Sequence, residues 1–460
     1  MTTQRDFSVR GKKVTVVGAA RSGIAAAHLL ARRGATVTLS DLRPSIEAED
    51  ELRAAGVRLE LGHHEPATLV DAHLVVLSPG VPSALPAIEA ARAAGVHVMG
   101  ELELASRWLR GRIVAITGTK GKSTTTTLTG RMLEAGGHHV LVGGNIGHPL
   151  SAQVEESRPE TIHVVEASSF QLESVETFRP WISVFLNLSP DHLDRHGSVD
   201  EYAAAKARIF MNQTPSDWAV LNADDVAVAR MAAAAASQKL MFSMGDSLAA
   251  GVLVRGDEIV RRTAEGEQPL LPVSSIRLLG RHLIADVLAA SAVASIVGVD
   301  AAAMTQTVER FKGLEHALEP VAEISGVLFV NDSKATNVEA ARRAIESFDS
   351  VVVIMGGRFK GGDLGELTAS LRERNATVIS IGEAQDLIAS TFEGTVPVRE
   401  AADMTAAVRM AFASAAPGTA VVLAPACASF DMFRDYAERG RVFKQEVARL
   451  KEEWNGVREQ

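Results

Sequence analysis

The chain has 460 residues, of which 47% are hydrophobic, enough for about three domains with separate cores. Its formal net charge of −9, with no basic block, argues against a nucleic-acid-binding surface. No apolar run reaches the ~18 residues of a membrane span. The opening MTTQRDFSVRGKK lacks the apolar region of a signal peptide, and the single cysteine, Cys427, excludes an intramolecular disulfide and fits a reducing cytoplasm.

The first block opens with a strand expected at Lys13–Val17, the turn Gly18-Ala19-Ala20-Arg21-Ser22-Gly23, a helix to Arg33 and a strand Thr36–Ser40 ending in Asp41. Further strands are expected at Leu74–Leu77 and Val96–Met99. Alternating strands and helices imply a parallel sheet with ligands at the carboxyl ends of its strands. The turn, with Asp41 downstream, resembles a dinucleotide fingerprint whose middle glycine is replaced. Taken alone it fits a nicotinamide dinucleotide, another diphosphate ligand, or a tight turn that merely needs small residues.

In the second block the apolar run Ile113–Ile116 enters TGTKGKSTTTT at 117–127. Backbone N–H groups and a helix N-terminus face an anion there, Lys122 adds a point charge, and Ser123 can reach Mg²⁺. The spacing is not the full Walker form, whose first glycine would fall at Ile116. A dehydrogenase has no need of such a loop, so it favours the diphosphate reading of the first turn. Strands are expected at His163–Glu166, Ile182–Leu186 and Ala219–Leu221, an antiparallel patch within Met241–Pro272, and one buried helix over Leu288–Met304. Glu166, ending its strand beside the phosphate loop, sits where an Mg²⁺ ligand belongs or where an acid caps a helix. Leu188–His196 carries Asp191, His192, Asp194 and His196, dense for a surface loop, although a solvated turn also fits. Lys206, in a helix starting near Tyr202, reads alone as solvated or salt-bridged.

The third block has strands expected at Gly326–Asn331, Val351–Met355, Thr377–Ile381 and Ala420–Ala424, and no repeat of fixed period links the blocks. Cys427 reads as a small buried apolar residue rather than a nucleophile.

The segments TGTKGKST, GGNIGHPL, EASSFQLE, LSPDHLDRH, YAAAKARIF, FVNDSKATN and LAPACASFDMF occur in this order over nearly the whole chain. Together they resemble the Mur ligases. The resemblance implies an α/β chain of three domains: residues 1–104 Rossmann-like and binding a UDP substrate, 105–312 P-loop ATPase-like with a mostly parallel sheet, and 313–460 Rossmann-like and binding an amino acid. It implies a cytoplasmic monomer that uses ATP and two Mg²⁺ ions. NDSKATN and PACASFD point to the branch that adds D-glutamate to UDP-N-acetylmuramoyl-L-alanine through an acyl phosphate. An L-glutamate-adding variant, a folylpolyglutamate synthase-like ligase and a non-catalytic nucleotide-binding regulator remain the alternatives.

By the same resemblance, Gly118, Thr119, Lys120, Gly121, Lys122, Ser123 and Thr124 hold ATP phosphates, and Asp332 meets the ribose. Ser123, Glu166, His192 and a carbamylated Lys206 serve the metal ions. Lys122, Glu166, His192 and Lys206 form the catalytic set. Arg21, Ser22, Asp41, Arg43, Gly80, Asn145 and His192 line the UDP-substrate site, and Lys334, Thr336, Lys360, Ser429 and Phe430 the amino-acid pocket. Three departures stand out. Lys120 replaces the usual asparagine, Leu283 and Asp286 (after Leu279-Gly280-Arg281-His282) replace two more, and Ala317 replaces an arginine that reaches the nucleotide phosphates. Lys120 is inferred to restore that missing charge. Domain closure on ATP is expected to hinge near 101–107 and 310–315.

Overall fold

A computed structural model describes residues 7–277 and 282–458. Residues 278–281, which include three residues of the Leu279–His282 motif, and the first six residues of the opening segment lie outside the described part. The chain carries three sheets. The first comprises β1 (Lys13–Val17), β2 (Thr36–Asp41), β3 (Arg58–Leu61), β4 (Leu74–Leu77) and β5 (His97–Gly100). It is parallel throughout, in the order β3-β2-β1-β4-β5. Strand order reverses between β1 and β4, so the loops after them open a crevice at the carboxyl edge.

The second sheet comprises β6 (Arg112–Thr117), β7 (Val140–Gly144), β8 (Ile162–Glu166), β9 (Ile182–Phe185), β10 (Trp218–Asn222), β11 (Gln238–Ser243), β12 (Gly251–Arg255), β13 (Glu258–Thr263) and β14 (Gly266–Pro272). Its order is β14-β13-β12-β11-β10-β9-β6-β8-β7. The antiparallel patch expected within Met241–Pro272 is confined to β12–β14, because β11 still runs parallel to β10 and β12. The apolar stretch after it is two helices, His282–Val297 and Ala301–Arg310, rather than one. Gly298 ends the first at φ 91°, and Asp300 Oδ1 accepts the Ala303 N–H at 2.8 Å to start the second.

The third sheet runs β15-β16-β20-β17-β18-β19, from β15 (Glu319–Ile324), β16 (Val327–Asn331), β17 (Val351–Gly356), β18 (Thr377–Ile381), β19 (Val398–Glu400) and β20 (Ala420–Leu423). Only the edge pair β15–β16 is antiparallel. Central strands such as Val351–Met355 are apolar on both faces, as a sheet covered by helices on two sides requires.

Of the described residues, 7–276 together with 284–309 form one compact unit, and 310–458 with 277, 282 and 283 form another. The break at 309/310 lies next to the segment 310–315. The segment 101–107 is no hinge: the short helix Glu101–Ser106 is buried, and Leu102 and Ala105 share one apolar core with Leu29 of the first block and Val165 and Phe185 of the second. Glu103, fully buried, accepts the N–H groups of Glu176, Thr177 and Phe178 at 2.9–3.1 Å, the Thr177 hydroxyl at 2.6 Å and Arg107 Nε at 2.8 Å. Bending there would strip a buried carboxylate of its donors, at about 1.5–3 kcal/mol for each charged hydrogen bond.

Candidate functional site

The phosphate loop leaves β6 in the middle of the second sheet, with β8 and β9 on either side. Gly118 (φ 151°) and Gly121 (φ 80°) adopt backbone that side chains disfavour. A Cβ at Gly121 would also run into the Asp286 carboxylate. Asn187, just past β9, fixes the loop by accepting the N–H groups of Thr119 (3.1 Å) and Lys120 (2.8 Å) with Oδ1. The helix Lys122–Ala135 then starts at Gly121, so its free N–H groups point toward the loop. Lys122 Nζ folds back onto the Gly118 and Thr119 carbonyls, both at 2.9 Å.

Glu166, at the end of β8 and 2% exposed, is gripped from both sides. Ser123 Oγ donates to Oε2 and Asn145 Nδ2 to Oε1, each at 2.7 Å. A hydroxyl and a carboxylate oxygen, side by side at the head of a phosphate cradle, are the hard donors that Mg²⁺ selects. Lys206 is 1% exposed, its ammonium near the Gly118 carbonyl (2.8 Å) and 4.7 Å from the Tyr202 ring centroid. Burial first, then the neighbouring Lys122 charge, pull its pKa down to about 6, against the weaker pull of Asp191 and Glu166. The solvated-lysine reading is thereby overturned: the side chain is buried, and its surroundings favour the uncharged amine. His192 sits differently. It is half-exposed, in left-handed backbone (φ 54°), with its ring 5.0 Å from Phe170 and its Nε2 3.9 Å from Asp191 Oδ2. Among the described residues no group of three or more His, Cys, Asp or Glu side chains is arranged to hold a metal ion. Of the expected metal set, then, Ser123 and Glu166 meet directly, Lys206 borders the same loop, and His192 stays at the rim.

The first turn is built to another plan. Asp41, at the end of β2, accepts the Ala19 N–H at 2.5 Å and pairs with Arg43 Nε at 2.8 Å. Burial would raise its carboxyl, but Arg43 and the N–H groups of Ala19 and Arg43 outweigh it and hold the pKa at about 2. Arg21 opens the following helix and donates to the Gly147 carbonyl at 3.2 Å, beside Asn145 in the second block. Gly80 lies exposed in the loop after β4.

In the other unit, three loops at the carboxyl ends of adjacent β16, β20 and β17 are stitched together. Ala426 N–H donates to the Ala335 carbonyl (2.9 Å), Gly356 N–H to Pro425 (2.9 Å) and Arg358 N–H to Ala428 (2.9 Å). These loops carry Lys334, Thr336, Lys360, Ser429 and Phe430; Lys334 and Lys360 are exposed, Ser429 is buried and Phe430 is 64% exposed. Asp332 is nearly buried, with its pKa pushed up to about 7 by burial against the weaker effects of the Leu318 N–H and Lys334. Burial lifts the Cys427 thiol to about 11, which agrees with an inert apolar role. Ala317 lies in a turn between His316 (φ 65°) and Leu318 (φ 45°).

Two organising residues were not singled out from the sequence. Asn187 has a signal, an amide directly after an apolar strand. Arg439 has none, since a lone arginine in a long charged helix reads as solvated. It is 1% exposed and binds the Ser333 hydroxyl (3.0 Å) and the carbonyls of Ser333 (3.0 Å), Cys427 (3.1 Å) and Gly356 (3.3 Å), one residue for all three loops.

A phosphate cradle with paired oxygen donors for Mg²⁺, in a chain that carries two further mostly parallel α/β sheets, defines a nucleotide-dependent enzyme of the P-loop kind. Domain models resolve which one: residues 12–100 match the Mur ligase MurD-like N-terminal domain, 116–294 the Mur ligase middle domain and 318–427 the Mur ligase glutamate ligase domain. The chain belongs to the Mur ligase family, which uses ATP and Mg²⁺. It is 47% identical to the UDP-N-acetylmuramoylalanine–D-glutamate ligase of Acidobacterium capsulatum, covering 96% of this chain and 97% of that one. It is 45% identical to the ligase of the same name from Koribacter versatilis, covering 97% and 99%. Among solved structures, UDP-N-acetylmuramate–alanine ligase from Thermotoga maritima shares the fold, with a TM-score of 0.59 at 19% identity over 96% of this chain and 100% of that one. A pseudomurein peptide ligase type C from Methanothermus fervidus does so with a TM-score of 0.59 at 17% identity, over 96% and 100%. The match of the first block to a Mur ligase domain leaves its nicotinamide reading without support.

Proposed function

We propose that the chain joins D-glutamate to UDP-N-acetylmuramoyl-L-alanine at the expense of ATP, in the synthesis of peptidoglycan precursor. The observation that carries this reading is the phosphate loop with Glu166 fixed 2.7 Å from Ser123, in a chain 47% identical to a ligase of that name. In the proposed reaction a carboxylate oxygen of the alanyl group attacks the γ-phosphorus of ATP, and ADP departs. The glutamate amine attacks the acyl carbon and loses a proton, and the tetrahedral adduct expels inorganic phosphate to leave the amide. Negative charge spreads over phosphoryl oxygens throughout, so positioning and cations do most of the catalysis.

Each group has a part. The N–H groups of Gly118–Thr124 and the Lys122 ammonium cradle the triphosphate. Ser123 and Glu166, joined by His192 and a carbamylated Lys206, would hold Mg²⁺, which neutralises phosphoryl charge when bound. Asn145 orients Glu166 and faces the acyl end. Arg21, Ser22, Asp41, Arg43 and Gly80 take the uridine diphosphate. Asp332 meets the ATP ribose, and Lys334 and Lys360 meet the two carboxylates of glutamate in a pocket shared with Thr336, Ser429 and Phe430. The domain limits fall at 104/105 and 312/313. The enzyme works as a cytoplasmic monomer; among the described residues no helix is long and apolar enough to cross a membrane. The test is phosphate release from ATP. It should require both UDP-N-acetylmuramoyl-L-alanine and D-glutamate, and release that is equal with L-glutamate, or that needs neither substrate, rejects the assignment.

A further inference from the structure

Where the first two blocks meet, a small cavity lies between the loop after β4 and the helix that follows Glu166. Ser78, Glu101, Phe170, Gln171 and Arg195 are among its lining residues. Ser78, Glu101 and Gln171 are each no more than 3% exposed. Each presents one polar atom without a hydrogen-bond partner among the described residues: Ser78 Oγ, Glu101 Oε2 and Gln171 Nε2. Their other atoms are committed. Glu101 Oε1 accepts the Ser151 N–H at 2.6 Å, and Gln171 Oε1 accepts the Ser168 N–H at 3.0 Å, which leaves the Gln171 NH₂ group as the unpartnered end of the amide. Three buried orphan groups at one place are costly unless something satisfies them. The cavity measures about 20 Å³, and a single water needs roughly 10–15 Å³ and two to four polar partners.

We propose that this cavity is a water site, and that Glu101 acts through the bound water as a positioning residue for the UDP-substrate loop Ser78–Val81. The water accepts from Gln171 Nε2, donates to Glu101 Oε2 and shares its second proton with Ser78 Oγ. Ser78 matters because its loop walls the first turn: a Cβ at Gly18 would meet both Ser78 Cβ (2.9 Å) and Val81. Arg195, from the second block, holds the same loop through the Val81 carbonyl at 3.1 Å. The water therefore completes a link from the helix behind Glu166 to the turn that takes the diphosphate.

The proposal rests on the function given above and has its own test. A high-resolution crystal structure of the full chain should show one solvent peak within hydrogen-bond distance of Ser78 Oγ, Glu101 Oε2 and Gln171 Nε2. Glu101→Leu should raise the KM for the UDP substrate about three- to tenfold, as expected for one lost hydrogen-bonded link, with kcat and the ATP KM within twofold of the parent. Glu101→Gln, which keeps an acceptor for Ser151 and a polar group for the water, should restore the parent KM. An empty cavity in the parent crystal overturns the proposal, as does an unchanged KM in Glu101→Leu or a parallel fall of all parameters in both variants. If the parent chain released no glutamate-dependent phosphate, the assigned reaction would fail instead, and the solvent peak would still decide the cavity.

Discussion

Two glycine turns in this chain look alike in outline and are held in opposite ways. Each follows a central parallel strand and opens a helix, and each is held by a side chain from the strand beside it. At the first turn the holder is charged: Asp41 takes the Ala19 N–H and keeps its negative charge down to a pKa of about 2. At the second it is neutral: the Asn187 amide takes the Thr119 and Lys120 N–H groups. A carboxylate at the first turn and an amide at the second suit a sugar or base hydroxyl and a triphosphate respectively. Glycines make a turn possible, and the chemistry of the turn is set by what reaches it from neighbouring strands.

The largest expected effect breaks the second turn. Lys206→Ala should lower ligase kcat on the order of 10²–10³-fold, the usual loss when one charge stabiliser of a transition state is removed. Bicarbonate or another short carboxylate should restore part of it. Undiminished turnover in the variant would end the carbamate role. A second measurement on the same residue sharpens the point. A base whose folded pKa lies near 6 costs stability wherever the unfolded lysine is protonated and the folded one is not, so the penalty grows as pH falls from about 10.5 toward 6. Lys206→Met, assayed free of CO₂, should therefore unfold at higher denaturant than the parent at pH 7.

The amino-acid pocket follows. Lys334→Ala and Lys360→Ala should each raise the glutamate KM about ten- to a hundredfold, since a charge-assisted hydrogen bond contributes roughly 1.5–3 kcal/mol. The ATP KM should stay within twofold. A joint rise would move these lysines to the phosphates.

Asp41 breaks the first turn. Its folded pKa lies below the unfolded 3.8, so it contributes stability that is present above pH 3.8 and lost as pH falls toward 2, about 2 kcal/mol in all. Asp41→Asn should lose that amount at pH 7, converge with the parent near pH 2, and raise the UDP-substrate KM without touching ATP. Curves that stay parallel across this range would show that Asp41 is not the titrating group.

Much of this was legible because the signals are local. Apolar runs of four or five residues gave the central strands, and the two turns announced themselves through glycines. What escaped was decided by tertiary contact. The strands Arg58–Leu61 and Val140–Gly144 lie at or near sheet edges and lack a continuous apolar run. The segment 101–107 was expected to hinge, yet Glu101 and Glu103 there are buried acids that accept backbone N–H groups. Taken alone Lys206 read as solvated, and only the resemblance of YAAAKARIF gave it a role; Arg439 had no such motif, and burial is what gives such a helical cation its part.

The smallest effect concerns Lys120, which was inferred to replace the arginine missing at Ala317. Its ammonium lies 3.7 Å from Asp191, with both side chains about a quarter exposed, and such a pair contributes only ~0–1 kcal/mol. Asp191 thus holds the charge loosely, at the mouth of the phosphate loop, where an incoming triphosphate competes for it. Lys120→Asn should raise the ATP KM about threefold at low ionic strength, and the difference should shrink in 0.5 M salt as the Debye length falls to a few ångströms. Ala317→Arg in the same background should recover part of the loss if the two positions serve one charge. A Lys120→Asn enzyme with parental ATP KM at low salt would mean that Lys120 belongs to Asp191 alone, and that the loop cradles the triphosphate with Lys122 and its backbone donors.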